Sequence, residues 1–135
     1  MNYEQARAYA VNVSRSGSIL GLDSIENLMH ELGDIQERLK IIHIAGTNGK
    51  GSTGAYLERV LIEARYRVGR YSSPAVFDPM EVWRINLQSM SHEEYADIME
   101  QVKCACDRMV EKGMEHPTIF EVETAMAFLY FYQKK

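Results

Sequence analysis

One stretch governs what this chain can fold into. The branched, apolar run Leu39-Lys40-Ile41-Ile42-His43-Ile44-Ala45 leads at once into Gly46-Thr47-Asn48-Gly49-Lys50-Gly51-Ser52-Thr53. A short apolar run bounded by glycine suits a strand buried on both faces of a parallel sheet. The residues that follow place Leu57, Val60, Leu61 and Ala64 at i, i+3, i+4 and i+7, one face of an amphipathic helix. A second strand is predicted over 67–72. Strand, glycine loop, helix and strand make a βαβ unit, whose crossover is right-handed. The expected class is therefore α/β: a three-layer domain with a short parallel sheet flanked by helices.

The rest of the chain reads mainly as helix. The first is predicted over 3–13 and ends in the loop Ser14-Arg15-Ser16-Gly17-Ser18. A second starts at Asp23, an N-cap candidate with Glu26 three residues on, and puts Ile25, Leu28, Met29 and Leu32 on one face. Gly33 is placed to stop it in the left-handed conformation. Beyond Ser73-Pro74 lies an irregular segment to about Met90, with a short strand predicted at 83–87. Ser91 and Glu94 form the next capping box, and the helix they open carries Tyr95, Ile98, Met99, Val102, Met109 and Val110 on one side as far as Lys112-Gly113. The last helix opens over 117–121 and presents Ala125, Phe128, Leu129 and Tyr132. The methionines at helical spacing read as core filler.

An α/β domain ending on an apolar helix lacks the strand such a helix leads into, and two parallel strands are few for a stable open sheet. Residues 1–135 are accordingly expected to be a fragment, truncated at the C-terminus. Its exposed sheet edge is expected to invite self-association.

Composition narrows the partners. At 135 residues the chain fits one modest domain. With 15 basic and 19 acidic residues the formal net charge is −4, which argues against a broad cationic face and hence against nucleic acid. No apolar run approaches the roughly 20 residues that span a bilayer, and the polar opening Met1-Asn2-Tyr3-Glu4-Gln5 is no signal peptide, so no membrane role and a cytoplasmic location are expected. The two cysteines, Cys104 and Cys106, have neither the spacing nor the companion ligands of a zinc site. On a helix they point about 200° apart, so they read as reduced, unpaired thiols of a reducing compartment.

The glycine loop carries the chemistry. Glycines let successive amide N–H groups point into one concavity, and the helix behind adds the positive end of its dipole. Lys50 can reach the outer phosphates of a nucleotide, and Ser52 or Thr53 offers a hydroxyl to phosphate or magnesium. Asn48 either bonds phosphate or serves a tight turn. The strict Walker spacing is not met, because Ile44 stands where the first glycine belongs and Gly51 follows the lysine. The loop is therefore a shortened variant of a P-loop; the bland alternative is a glycine-rich turn with an incidental lysine.

The segment Ala45-Gly-Thr-Asn-Gly-Lys-Gly-Ser-Thr53 resembles the phosphate loop of the folylpolyglutamate synthases and bifunctional dihydrofolate synthases, relatives of the Mur peptide ligases. Three flanking segments are similar to that family in order and spacing: Gly21-Leu22 with Ile25 and Leu28, Tyr71-Ser72-Ser73-Pro74, and Thr118-Ile119-Phe120-Glu121 with Thr124. Ala75 stands where the family often has histidine, Val82 where it has the first arginine after Glu81, and Leu87 where a glycine often follows.

The resemblance implies that the chain is the N-terminal part of an ATP-binding P-loop domain. The rest of that domain and the C-terminal glutamate-binding domain would be absent. It implies Lys50 as the catalytic cation, with ATP held by Thr47, Asn48, Gly49, Lys50, Gly51, Ser52 and Thr53. Ser73 is the implied Mg²⁺ ligand, and Ser73, Pro74, Ala75, Glu81 and Arg84 are candidates for a folate loop. The implied activity is ligation of L-glutamate to folate or dihydropteroate. ATP activates the acceptor carboxylate as an acyl phosphate, and positioning and charge neutralisation do most of the catalysis.

Other readings stay open at the level of sequence. A P-loop NTPase or kinase of another class, or a module that binds nucleotide without turning it over, would use the same loop. Glu121 with Thr118 makes an S/T-x-x-E capping box, reason enough for both residues. His43 reads as a packed histidine within an apolar strand.

Overall fold

The computed structural model describes residues 1–15, 21–46, 49–73 and 77–134. In chain order the elements are α1 (Tyr3–Ser14), α2 (Asp23–Glu31), a 3₁₀ turn (Ile35–Arg38), α3 (Lys50–Glu63), β1 (Gly69–Tyr71), a second 3₁₀ turn (Pro79–Val82), β2 (Trp83–Ile85), β3 (Gln88–Ser89), α4 (His92–Glu111) and α5 (Ile119–Gln133). They divide into two units, Met1–Leu39 with Ser91–Lys134, and Lys40–Met90. No described helix is long and apolar enough to cross a membrane.

The first unit is a helix bundle. Its helices start where short-range hydrogen bonding dictates. At α1 the Gln5 amide donates to Asn2 Oδ1 at 2.8 Å, and the Asn2 amide donates to Gln5 Oε1 at 2.9 Å. The predicted box at α4 is present, with Glu94 N to Ser91 Oγ and Ser91 N to Glu94 Oε1 both 3.0 Å. Helix α2 departs from expectation. Its N-cap is Leu22, with no side-chain cap, and Asp23 is the first helical residue. An acid within the first turn still favours the helix through the dipole without bonding an end amide. Gly33, at φ +91°, ends the helix as predicted.

Small residues on α1 (Ala6, Ala10) let it lie close on α4, whose Tyr95, Ile98, Met99, Val102 and Met109 are buried. Helix α5 contacts α1, α2, α4 and the Ile35–Arg38 turn. A one-sided apolar stripe is expected from its sequence. Instead Val122, Ala125, Met126, Ala127, Leu129 and Tyr130 are all buried, while Phe128 and Tyr132 are only half-buried. A helix with neighbours on several sides hides most of its circumference. The methionines do fill cores, with Met29, Met99, Met109 and Met126 at most 2% exposed.

In the second unit the sheet differs from the expected one. Its three strands lie in the order β1-β2-β3 and both pairings are antiparallel. The register sets Gly69 opposite Ile85, Arg70 opposite Arg84, Tyr71 opposite Trp83, and Ile85 opposite Gln88. The strands expected at 67–72 and 83–87 are both present in shortened form, but they pair with each other. Residues 39–45, predicted as a buried parallel strand, form no strand. Ile41 is 54% and Ile42 61% exposed, and His43 is exposed rather than packed. A strand buried on both faces needs a ladder neighbour and covering layers, and the described residues of this unit supply neither to that run. The βαβ unit is therefore not closed here.

The face of α3 is corrected with it. Val60 and Ala64 are exposed, Leu57 and Leu61 half-buried, and the buried positions are Gly54 and Glu58. Tyr56, at 77% exposed, lies among the uncovered apolar side chains of this helix.

Candidate functional site

In sequence the predicted phosphate loop lies between residues 40–46, which form no helix or strand, and α3. Gly46 has φ +151° and Gly49 has φ +76°, both in the region that favours glycine. Gly49 is the N-cap of α3 in the left-handed conformation and offers no side chain to the end amides. Lys50, Gly51, Ser52 and Thr53 form the first turn, all exposed. Among the described residues the starts of α1, α4 and α5 are closed by a capping side chain; α3, like α2, has no side-chain cap, and it begins on a glycine with a lysine at its first position. The first N–H groups of such a helix and its dipole favour an anion. Thr47 and Asn48 lie outside the described residues.

Ser73 follows β1 and is exposed. The ladder reaches its neighbour, since the Ser72 amide donates to the Val82 carbonyl at 3.0 Å. Pro74 and Ala75 lie outside the described residues. Glu81 caps the second 3₁₀ turn: its Oε1 accepts from the Phe77 and Asp78 amides at 2.7 and 2.6 Å, while Asp78 Oδ1 accepts from Met80 N at 2.9 Å. Arg84 turns toward α3, where its Nη2 lies 3.5 Å from Glu58 Oε1. Glu121 belongs to the first unit and is 7% exposed. Its Oε1 accepts from Thr118 N at 2.9 Å and Thr118 Oγ1 at 3.1 Å, and its own amide donates to Thr118 Oγ1 at 3.3 Å. Both ends of the capping box are thereby made.

Three residues absent from the sequence reading join the site region. Arg70 on β1 donates through Nη1 to Glu58 Oε1 at 3.2 Å and through Nη2 to the Gly51 carbonyl at 3.0 Å. Gly54 lies under that guanidinium. Gly51, Gly54 and Glu58 fall at i, i+3 and i+7, a single stripe of α3. Two glycines and an acid in line on one stripe of α3 are the sequence signal that could have pointed to them.

Among the described residues no three His, Cys, Asp or Glu side chains gather as a metal site. The hydroxyls expected to serve a metal or phosphate, those of Ser52, Thr53 and Ser73, belong to exposed residues. Hard oxygen donors of this kind suit Mg²⁺ shared with phosphate oxygens.

No family model matches the chain. It is 36% identical over 129 residues to the dihydrofolate synthase/folylpolyglutamate synthase of Bacillus subtilis, covering 96% of this chain and 30% of that protein. Among solved structures, a folylpolyglutamate synthase complex with AMPPCP and folate superposes with a TM-score of 0.89 at 31% identity, over 99% of this chain and 33% of the other. A bifunctional folylpolyglutamate synthase/dihydrofolate synthase with Mn, AMPPNP and L-glutamate bound gives a TM-score of 0.84 at 32% identity, over 100% and 31% of the two chains. The chain thus spans about a third of the length of the relatives it matches. A glycine loop opening an uncapped helix, the order of the flanking segments and these superpositions agree, and the chain belongs to the folylpolyglutamate synthase/dihydrofolate synthase family.

Proposed function

We propose that this chain is the nucleotide-binding part of an ATP-dependent ligase that joins L-glutamate to folate, or to dihydropteroate. The observation that carries the reading is the start of α3: a left-handed Gly49, no side-chain cap, and Lys50 at the first helical position. Relatives of matching fold are named for complexes with ATP analogues, folate, Mn and L-glutamate, which supports the same substrates here.

In this reading the amides of Lys50, Gly51 and Ser52 and the Lys50 ammonium hold the β- and γ-phosphates, with Thr47 and Asn48 completing the loop. The γ-phosphoryl group passes to a carboxylate oxygen of the acceptor and ADP leaves. The glutamate amine then attacks the acyl carbon, phosphate departs, and the amine gives up a proton as the amide forms. Ser52, Thr53 and Ser73 would hold Mg²⁺, which supplies charge neutralisation on the phosphates. A carboxylate needs such activation because its own oxygen is too poor a leaving group. Pro74 and Ala75, with Ser73, remain candidates for the folate side. Glu81 and Arg84 already serve a cap and an ion pair, so their part in folate binding would be indirect.

Two free cysteines fit a cytoplasmic setting. Self-association of the isolated chain would run through an exposed edge of the sheet, which sedimentation velocity checks.

Calorimetric titration of the complete gene product with Mg·ATP tests the reading. The expected result is saturable binding that Lys50→Ala weakens at least tenfold, and phosphate release from ATP that requires both a folate and L-glutamate. Phosphate release indifferent to glutamate would assign the loop to an NTPase instead.

A further inference from the structure

The antiparallel register places Arg70 directly opposite Arg84. Like charges facing each other across a sheet are unfavourable unless something neutralises them. Glu58, 3% exposed, sits between: its Oε1 lies 3.2 Å from Arg70 Nη1 and 3.5 Å from Arg84 Nη2. Two guanidinium groups thus share one carboxylate, leaving a surplus positive charge beside α3. Among the described residues Glu58 Oε2 and Arg84 Nε have no hydrogen-bond partner although both are buried. Buried charge of this kind is costly to keep for stability alone.

What the cluster does follows from where Arg70 points. Its guanidinium joins two residues of α3 that stand seven apart in sequence, the Glu58 carboxylate and the carbonyl of Gly51. It lies close over Gly54, where a β-carbon would stand 3.1 Å from Arg70 Nη2 and 3.3 Å from Cζ and Nε, tighter than ordinary van der Waals contact, so that a side chain there would push the guanidinium away. One planar fork therefore fastens the first turn of α3, which carries Lys50, to the strand that ends two residues before Ser73. A lysine could meet Glu58 but could not hold both points at once.

We infer that Arg70, braced by Glu58 and given room by Gly54, is a positioning residue for the phosphate loop: it fixes the first turn of α3 relative to the strand end bearing Ser73. This rests on the nucleotide reading above. Arg70 touches no substrate in this role; it acts through the Gly51 carbonyl and the backbone that carries Lys50.

The test uses the complete gene product and the variants Arg70→Lys and Arg70→Gln, with Mg·ATP as probe. Arg70→Gln leaves Glu58 short of a partner and threatens folding, so Arg70→Lys, which keeps that ion pair, is the deciding variant. Arg70→Lys is expected to stay folded with a melting temperature several degrees below wild type, since the Gly51 bond is lost and the Glu58 ion pair kept. Amide exchange at residues 51–55 of the nucleotide-free protein should quicken about tenfold. Its KM for Mg·ATP should rise about tenfold as the loop loses its fixed position, with the KM for glutamate unchanged. Unaltered exchange and unaltered KM in Arg70→Lys, while Lys50→Ala still abolishes nucleotide binding, would overturn the positioning role and leave the nucleotide reading standing. Failure of the wild-type protein to bind Mg·ATP would overturn both.

Discussion

The Arg70 guanidinium crosses α3 at Gly54, close enough that a β-carbon on that glycine would meet Nη2 at 3.1 Å. Gly51, one turn earlier in the same helix, has nothing within 4 Å of the corresponding point. The two glycines should therefore answer oppositely to alanine. Gly51→Ala gains helix propensity worth about 1 kcal/mol. Gly54→Ala gains the same but displaces Arg70 from the Gly51 carbonyl, a bond to a charged donor worth roughly 1.5–3 kcal/mol. The expected net loss at Gly54 is about 1 kcal/mol. Urea denaturation of the two variants decides it, and equal stabilisation by both would show that Arg70 moves aside freely.

The turn between β2 and β3 holds a second testable misfit. Asn86 and Leu87 both have positive φ, +47° and +71°, as a two-residue type I′ hairpin requires. Asn86 tolerates this and is tied down, its Oδ1 accepting from Val68 N and its amide donating to Val68 O, each at 2.8 Å. Leu87 is the misfit: a leucine in the left-handed region costs about 1–2 kcal/mol, and at 39% exposed it is only partly covered. Leu87→Gly is expected to raise stability by about 1 kcal/mol. A lower melting temperature in this variant would mean that the leucine side chain matters more than its backbone strain.

The two cysteines of α4 should differ sharply in reactivity. Cys106 is fully buried, and burial pushes its thiol up to about 12, whereas Cys104 is exposed. Only the thiolate attacks an alkylating reagent. Native protein at pH 8 is expected to take one equivalent of iodoacetamide, on Cys104, with Cys106 modified only after denaturation. Intact-mass analysis followed by peptide mapping reads this directly, and early labelling of Cys106 would contradict the packing of α4.

Glu31 provides the pH dependence. Lys112 donates to its Oε1, Arg108 Nε donates to Oε2 at 3.1 Å, and Arg108 Nη2 reaches the Glu31 carbonyl at 3.0 Å. The hydrogen bonds from Lys112 and then Arg108 hold the Glu31 carboxyl below its ordinary range. A depressed carboxyl binds its proton more weakly in the folded state than in the unfolded one. Its contribution is thus fully present above the unfolded value, about 4.3, and disappears as pH falls through the lower folded value. Wild type should melt higher than Glu31→Gln at pH 7, with the gap closing below about pH 4. Melting curves from pH 2.5 to 7 check the prediction; a gap independent of pH would remove the ion pairs from the account.

Residue sequence settled whatever depends on neighbours a few positions apart. Ser91 with Glu94 and Thr118 with Glu121 close their capping boxes, Gly33 stops α2, and Lys50 opens the helix behind the glycine loop, because each needs only atoms within one helical turn. The motif around Lys50 was legible for the same reason. Tertiary structure alone decided the pairing of β1 with β2, the exposure of Ile41 and Ile42, and the burial of Glu58 in place of Val60. Strand pairing and burial depend on partners far along the chain, and an apolar run states its need for cover without naming what provides it. Nothing local in Arg70 foretold Gly51 and Glu58 as its partners; a strand register and the missing β-carbon of Gly54 brought them together.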